Sequence, residues 1–310
     1  MPQPLVAVVG ATATGKTQLA IALAQAIRGE IVNADSRQVY RGMDIGTAKP
    51  TPAEQAAARH WLIDCADPDE PMTLARFLDL ARAAIADIHA RALTPIVAGG
   101  TGQYVWALLE GWQVPRVAPQ RALRAELERL AAERGPEAVH ALLAAEDAES
   151  ARTIDARNVR RVIRAIEVTR ATGRPFSAWR AKTPPAYDAT VVGLALGRDA
   201  LYARIDARVD AMLAGGLVDE VRGLVARGYG CDLPPMRSIG YREVCGHLRG
   251  EITLAQAAAR IKTETHRLAR MQHTWFRRDD PRIRWLDAAA PDVAARALAA
   301  VSAHASGPAR

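Results

Sequence analysis

Eight consecutive residues near the N-terminus, Gly10-Ala11-Thr12-Ala13-Thr14-Gly15-Lys16-Thr17, limit the fold more than any other stretch. They follow a short apolar run, Leu5 to Val9, and open an apolar-periodic segment, Leu19 to Ile27. That order predicts strand, glycine-bounded loop and helix, the context in which a G-x-x-x-x-G-K-[ST] string has a mechanism. Backbone N–H groups of such a loop turn inward, and the helix N-terminus adds partial positive charge, so the loop suits a phosphate or diphosphate. Lys16 then reaches a terminal phosphate, and Thr17 offers its hydroxyl to Mg²⁺.

Short β-branched or apolar runs recur at Leu5–Val9, Glu30–Ala34, Trp61–Cys65, Pro95–Ala98, Val191–Leu196 and Ile283–Leu286, with helical patterns between most of them. Strands alternating with helices predict an α/β, P-loop NTPase-like core: a mainly parallel sheet flanked by helices. From about Pro115 to Pro185 no strand pattern occurs; helices are expected at Gln120–Arg134, Glu137–Ala144 and Ala156–Ala171. Gly173-Arg174-Pro175 closes the last, and Pro184-Pro185 leads back into strand. The expected division is therefore a core of residues 1–115 and 190–310, with an all-helical insertion of residues 116–189. A chain of 310 residues is long enough for both.

The three cysteines, Cys65, Cys231 and Cys245, are far apart and form no C-x-x-C pair, so neither a disulfide framework nor a zinc site is expected. That usage fits a reducing cytoplasm. No apolar stretch approaches the roughly 18–20 residues that span a bilayer, and the N-terminal apolar run reads as a core strand rather than a leader. The net charge of +7 hints at a polyanionic partner. Its placement says more. Residues 151–180 hold eight arginines against two acids, Asp155 and Glu167. Arg157, Arg160, Arg161 and Arg164 fall on one helical stripe, while Val159, Val162, Ile163 and Ile166 fall on the opposite one. One face packs and the other presents guanidinium forks suited to phosphate oxygens. Residues 254–278 hold six Lys/Arg against Glu264; there Ile261, Leu268 and Trp275 recur every seven residues as an apolar seam.

Two further segments sit where strands of such a sheet end, which is where ligands bind. Asp35-Ser36-Arg37-Gln38, the start of a polar block running to Pro50, places a carboxylate next to the phosphate loop. Asp35 there serves as a general base or metal ligand, or only caps a solvated loop. Gly99-Gly100-Thr101-Gly102 precedes a helical segment, with Thr101 either an N-cap or a donor to a ligand oxygen. No strand ends in a clear Walker-B acid, Asp64 being a weak candidate, so the loop is expected to hold a diphosphate leaving group rather than to drive nucleotide hydrolysis.

Taken together, the phosphate loop, the Asp35–Pro50 block, Gly99-Gly-Thr-Gly-x-Tyr104, Arg160-Arg-x-x-Arg164-Ala-x-Glu167, Met212-Leu-Ala-Gly-Gly-Leu-Val-Asp-Glu220, Ser238-Ile-Gly-Tyr-Arg242 and Arg270-Met-Gln-x-Thr-Trp275 resemble the tRNA dimethylallyltransferases. The resemblance covers almost the whole chain in order. Ala11 and Gln103 stand where that family more often has Pro and Leu, and the zinc-finger extension of some eukaryotic members is absent.

The resemblance implies transfer of a dimethylallyl group from dimethylallyl diphosphate to N6 of the adenosine 3′ of the anticodon, by a monomer with Mg²⁺. It implies catalytic roles for Asp35 as base, for Thr101 in positioning and for Arg208 at the leaving group. Residues Gly10 to Thr17 hold the diphosphate, and Thr17 the metal. Asp35, Ser36, Arg37, Gln38, Thr101, Arg124, Arg157, Arg160, Arg161, Arg164, Arg237, Gly240, Tyr241 and Arg242 meet the tRNA anticodon stem-loop, whose target base must leave its stack. Three other readings use fewer of these features: an adenylate isopentenyltransferase acting on free nucleotide, a P-loop small-molecule kinase, and a non-catalytic RNA-binding module. The arginine stripe argues against the first, the missing Walker-B acid against the second, and the phosphate loop against the third.

Overall fold

The computed structural model describes residues 3–183 and 187–305. Pro184 and Pro185, expected to lead into a strand, lie outside the described residues. In chain order the elements are β1 (Gln3–Gly10), α1 (Lys16–Ile27), β2 (Gly29–Asn33), α2 (Pro52–Ala57), β3 (His60–Trp61), α3 (Leu74–Ala90), β4 (Thr94–Ala98) and α4 (Gly102–Leu109). Then come α5 (Arg121–Arg134), α6 (Pro136–Glu146), α7 (Ala148–Thr153) and α8 (Val159–Thr172), followed by a short 3₁₀ turn. Last are β5 (Tyr187–Ala195), α9 (Arg198–Ala214), α10 (Leu217–Ala226), α11 (Tyr241–Leu248), α12 (Leu254–Trp275), β6 (Ile283–Asp287) and α13 (Val293–Ala305).

The chain divides into two compact units, Met1–Leu109 with Pro185–Arg310, and Glu110–Pro184. The expected limits, 115/116 and 189/190, lie six and five residues further on; β5 begins at Tyr187, four residues ahead of the apolar run that marks it in the sequence.

The larger unit is built on a six-stranded sheet of order β3-β2-β4-β1-β5-β6. Every described pairing is parallel, in keeping with the mainly parallel sheet expected. Parallel strands are covered on both faces, which explains why β1 reads as a nearly continuous apolar run with Leu5 to Gly10 all buried. Leu19, Ala20, Leu23 and Ala24 form the buried face of α1, within a cluster that includes Val6, Val8, Ile31 and Ile96. Fully burying each such Leu or Ile contributes about 1.5–3 kcal/mol. The expected strand at Trp61–Cys65 is shortened to His60–Trp61, because Leu62 and Asp64 take positive φ (63° and 52°) and turn the chain away from the ladder.

The helical unit packs Leu127, Val139, Leu143, Ile154, Val162, Ile163 and Ile166 into its own core. The helix expected over Ala156–Ala171 is α8, which begins three residues later, and a short further helix, α7, precedes it. Asn158 caps α8, its side chain accepting from the Arg161 N–H, and Gly173 ends it in the left-handed conformation.

Cys231 and Cys245 form a disulfide, which corrects the expectation of three separate thiols; Cys65 is free. The pair lies fourteen positions apart in the sequence, and the fold brings their Cα atoms to 6.0 Å, within bridging range. Among the described residues no helix is long and apolar enough to cross a membrane.

Candidate active site

The phosphate loop closes between β1 and α1 as the glycine spacing requires. Gly15, the residue before α1, lies at φ 89°, where a side chain is strained. Thr14 is buried and donates its hydroxyl to the Ala11 carbonyl at 2.9 Å. The Lys16 ammonium reaches the same carbonyl at 2.7 Å. Burial is the larger influence on Lys16 and pushes its pKa down to about 8; Asp35 pulls it up and Arg208 pushes it further down.

An open cavity of about 660 Å³ lies against this loop, lined among others by Thr12, Ala13, Gly15, Lys16, Thr17, Asp35, Gln38, Asp64 and Arg208. Arg208 comes from α9 and has no hydrogen-bond or ion-pair partner among the described residues. Its burial lowers the guanidinium pKa, with distant Glu54 acting the other way. Two cations without carboxylate partners therefore face one cavity. Such an arrangement favours a bound polyanion, because desolvated positive charge is poorly stabilised until an anion arrives.

Asp35 stands two residues beyond the end of β2, on the same cavity. Its backbone N–H donates to Asn33 Oδ1 at 3.1 Å, and its Oδ1 accepts from the Arg37 N–H at 2.8 Å. Oδ2 has no partner among the described residues. Thr101 joins this turn to the neighbouring strand end: its Oγ1 accepts from the Ser36 N–H at 3.0 Å, and its own N–H donates to the Ala34 carbonyl at 3.3 Å. The Gln38 amide donates to the Thr47 and Ala48 carbonyls at 3.2 and 3.0 Å, and Arg37 is exposed. Thr17 lines the cavity with its hydroxyl unpartnered among the described residues. Asp64, the weak Walker-B candidate, is instead paired at 2.6 Å with the buried ammonium of Lys49, which also meets Asp44.

Several expected RNA-contact residues sit differently. Gly240 and Tyr241 are buried, Tyr241 0% exposed, with its hydroxyl donating to Glu220 at 2.6 Å; neither presents a side chain to a ligand. Glu220 also accepts from the Ile45 and Gly46 N–H groups at 2.7 and 3.2 Å, so it anchors the block that follows Asp35. Arg237 is exposed near Asp232, and Arg242 is exposed and paired with Glu243.

In the helical unit, Arg124 and Arg164 are not free forks. Both bond Glu167, which is 0% exposed and also accepts from the Gln120 N–H at 2.6 Å. Burial alone raises that carboxyl, but the Arg124, Gln120 and Arg164 bonds outweigh it and hold the pKa at about 2. Arg157 pairs with Asp155 at 2.7 Å. Arg160 and Arg161 remain exposed, with side chains lacking an ion-pair partner among the described residues. The stripe is thus tied at both ends, Arg157 to Asp155 and Arg164 to Glu167, with Arg160 and Arg161 between them free among the described residues.

Two residues hold these loops without any sign in the hydrophobic spacing: Glu220, half-buried, and Gln272. Gln272 is 8% exposed and touches the phosphate loop.

The sequence matches the family described as IPP transferase over residues 38–279, and the family described as isopentenyl transferase over residues 3–69. It is 56% identical over 298 residues to the tRNA dimethylallyltransferase of Roseiflexus sp. strain RS-1, spanning 96% of this chain and 97% of that one. Identity to the Chloroflexus aurantiacus tRNA dimethylallyltransferase is 54% over 89% of this chain and 93% of that one. Among solved structures, the tRNA isopentenylpyrophosphate transferase of Bacillus halodurans superposes with a TM-score of 0.71 at 38% identity, covering 98% of both chains. A eukaryotic dimethylallyltransferase acting on tRNA gives 0.80 at 29% identity, over 92% of this chain and 74% of that one. With a match across most of its length and relatives at this identity, the chain belongs to the IPP transferase family, that of the tRNA dimethylallyltransferases.

Proposed function

We propose that this enzyme transfers a dimethylallyl group from dimethylallyl diphosphate to N6 of the tRNA adenosine 3′ of the anticodon. One observation carries the reading. Lys16 and Arg208, cations without carboxylate partners, share a cavity with Asp35, whose Oδ2 is free. The loop Gly10–Thr17 and both cations hold the diphosphate and stabilise the negative charge that grows on it as the allylic C–O bond breaks. The adenine N6 lone pair forms the new C–N bond, the diphosphate leaves with the C–O electron pair, and the N6 proton passes to Asp35. Thr101, bonded to the Ser36 N–H, keeps the Asp35 turn in place, and an exocyclic amine, a weak nucleophile, gains from that fixed geometry.

The unpartnered Thr17 hydroxyl, on the cavity beside the phosphate loop, fits a hard, oxygen-seeking cation such as Mg²⁺ and leaves Asp35 Oδ2 to the proton. When bound, Mg²⁺ neutralises diphosphate charge. In the helical unit, Arg160 and Arg161 contact RNA phosphates, while Arg124 and Arg164 serve the fold. In the larger unit, Arg37, Gln38, Arg237 and Arg242 offer polar groups to the same RNA.

The test is incubation with unmodified tRNA, Mg²⁺ and radiolabelled dimethylallyl diphosphate, with free AMP in a parallel tube. Label on the adenosine beside the anticodon supports the proposal. Label on AMP moves the acceptor to free nucleotide, and label on neither refutes it.

A further inference from the structure

Gln272 is a polar side chain buried to 8% exposure near the end of α12, and its amide joins two loops of the same cavity. Its Oε1 accepts from the Thr12 N–H at 2.8 Å, and its Nε2 donates to the Gly100 carbonyl at 3.0 Å. The amide has only one possible orientation, since an N–H can only donate and a carbonyl can only accept.

The peptide unit between Ala11 and Thr12 is held from both ends. Its N–H meets Gln272, and its C=O receives Lys16 and Thr14. Turning that peptide over breaks all three bonds and removes the acceptor that holds the Lys16 ammonium. On the other side, the Gly100 carbonyl precedes Thr101, whose hydroxyl receives the Ser36 N–H beside Asp35. Gly100 has room for nothing larger: a Cβ there meets Gln272 Nε2 at 2.4 Å and comes to 3.7 Å from Lys16 Nζ.

One amide therefore lies on the path between the group expected to hold the diphosphate and the group expected to take the proton. We propose that Gln272 is a positioning residue, locking the Ala11–Thr12 peptide to the Gly100–Thr101 loop so that Lys16 and Asp35 keep one separation. This rests on the transfer reaction proposed above.

Gln272→Met keeps the volume and removes both bonds; Gln272→Glu keeps the acceptor for Thr12 and sets a carboxylate against the Gly100 carbonyl. Misplacement of reacting groups by about 1 Å costs up to roughly 10²-fold, so kcat of the Met variant is expected to fall on the order of 10–100-fold. KM for tRNA stays within about twofold of wild type, as Gln272 is buried away from solvent. For the Glu variant, kcat divided by the wild-type kcat rises as pH falls, because the protonated carboxyl regains a donor for Gly100. A purely structural residue lowers the thermal midpoint without that pH-dependent recovery.

Wild-type kcat in the Met variant overturns the proposal, as does a Glu-to-wild-type ratio that is flat with pH. Where the Met variant fails to fold, the isosteric Glu variant alone decides. Hydrogen exchange at the Thr12 amide separates this inference from the reaction itself: loss of one hydrogen bond speeds exchange by about five- to tenfold. Wild-type protein that transfers no label refutes the reaction. Unchanged Thr12 exchange in the Met variant refutes the lock.

Discussion

Raising the pH through 8 should loosen the diphosphate by discharging Lys16, and the size of the effect follows from its burial. Its pKa stands at about 8 in the free protein against an ordinary 10.5. At pH 9 about 9% of the free protein carries the charged ammonium, whereas a bound polyanion restores the pKa to at least its ordinary value. Binding at that pH takes up about 0.9 of a proton, and affinity falls about tenfold per pH unit above 8, levelling near 10.5 at roughly 300-fold. Stability moves the opposite way. The folded pKa lies below the unfolded one, so the unfolded chain binds more protons between about 8 and 10.5, and the free energy of unfolding rises with pH across that window. The assay is calorimetric titration of inorganic pyrophosphate with Mg²⁺ at pH 7 to 10, on wild type and on Lys16→Arg, whose charge does not titrate. The ratio of the two affinities cancels ionisation of the ligand. Parallel pH profiles for the two proteins would refute the argument that burial has set Lys16 near neutrality.

Asp35→Asn is expected to reduce turnover on the order of 10²–10⁴-fold with tRNA affinity unchanged, measured by single-turnover transfer; near-normal turnover removes Asp35 as the base. Replacing Arg160 and Arg161 together by Ala should lower the slope of log affinity against log salt by about 1.5, from roughly 0.7–0.9 per lost phosphate contact. An unchanged slope makes that face merely solvated. Arg164→Ala leaves Glu167 held by Arg124 and the Gln120 N–H and is expected to destabilise the protein by about 1.5–3 kcal/mol in urea unfolding, the cost of one charge-assisted bond; no measurable loss shows Arg124 to be sufficient alone. Thiol titration of denatured, unreduced protein should count one thiol, Cys65, rising to three after reduction. Cys231→Ser should cost about 3 kcal/mol, the chain-entropy expectation for a loop near 15 residues.

The phosphate loop was legible because its chemistry is local: the glycines, Lys16 and Thr17 lie within eight residues. The parallel sheet was legible for a similar reason, since each apolar strand is followed by its own helix. Long-range pairing was not. Glu167 meets Arg124 across 43 residues, and a stripe of arginines looked uniformly free although both its ends are tied down. The α12 seam was read from apolar spacing as Ile261, Leu268 and Trp275, yet Trp275 is 41% exposed and the buried face runs through Ala257, Ile261, Ala269 and Gln272. A buried glutamine is invisible to a hydrophobic pattern, because only its two distant partners make burial tolerable. Cys231 and Cys245 were passed over because an odd total in the sequence hides a pair that the fold brings together.

The sheet order also dictates a schedule for synthesis. β1 finds β4 once residue 98 has emerged, but its other edge pairs with β5, from Gln3↔Tyr187 to Gly10↔Leu194. From residue 98 to residue 187, at roughly 5–20 residues per second, the ribosome takes about 4–18 seconds to supply that partner. During the interval a half-built sheet, β3-β2-β4-β1, carries an apolar edge open to any passing strand, while the helical segment between is being made. Arg208 and Gln272 emerge later still. The nascent chain therefore holds the phosphate-loop sequence long before it can assemble the cavity around it, which waits for Arg208 and Gln272.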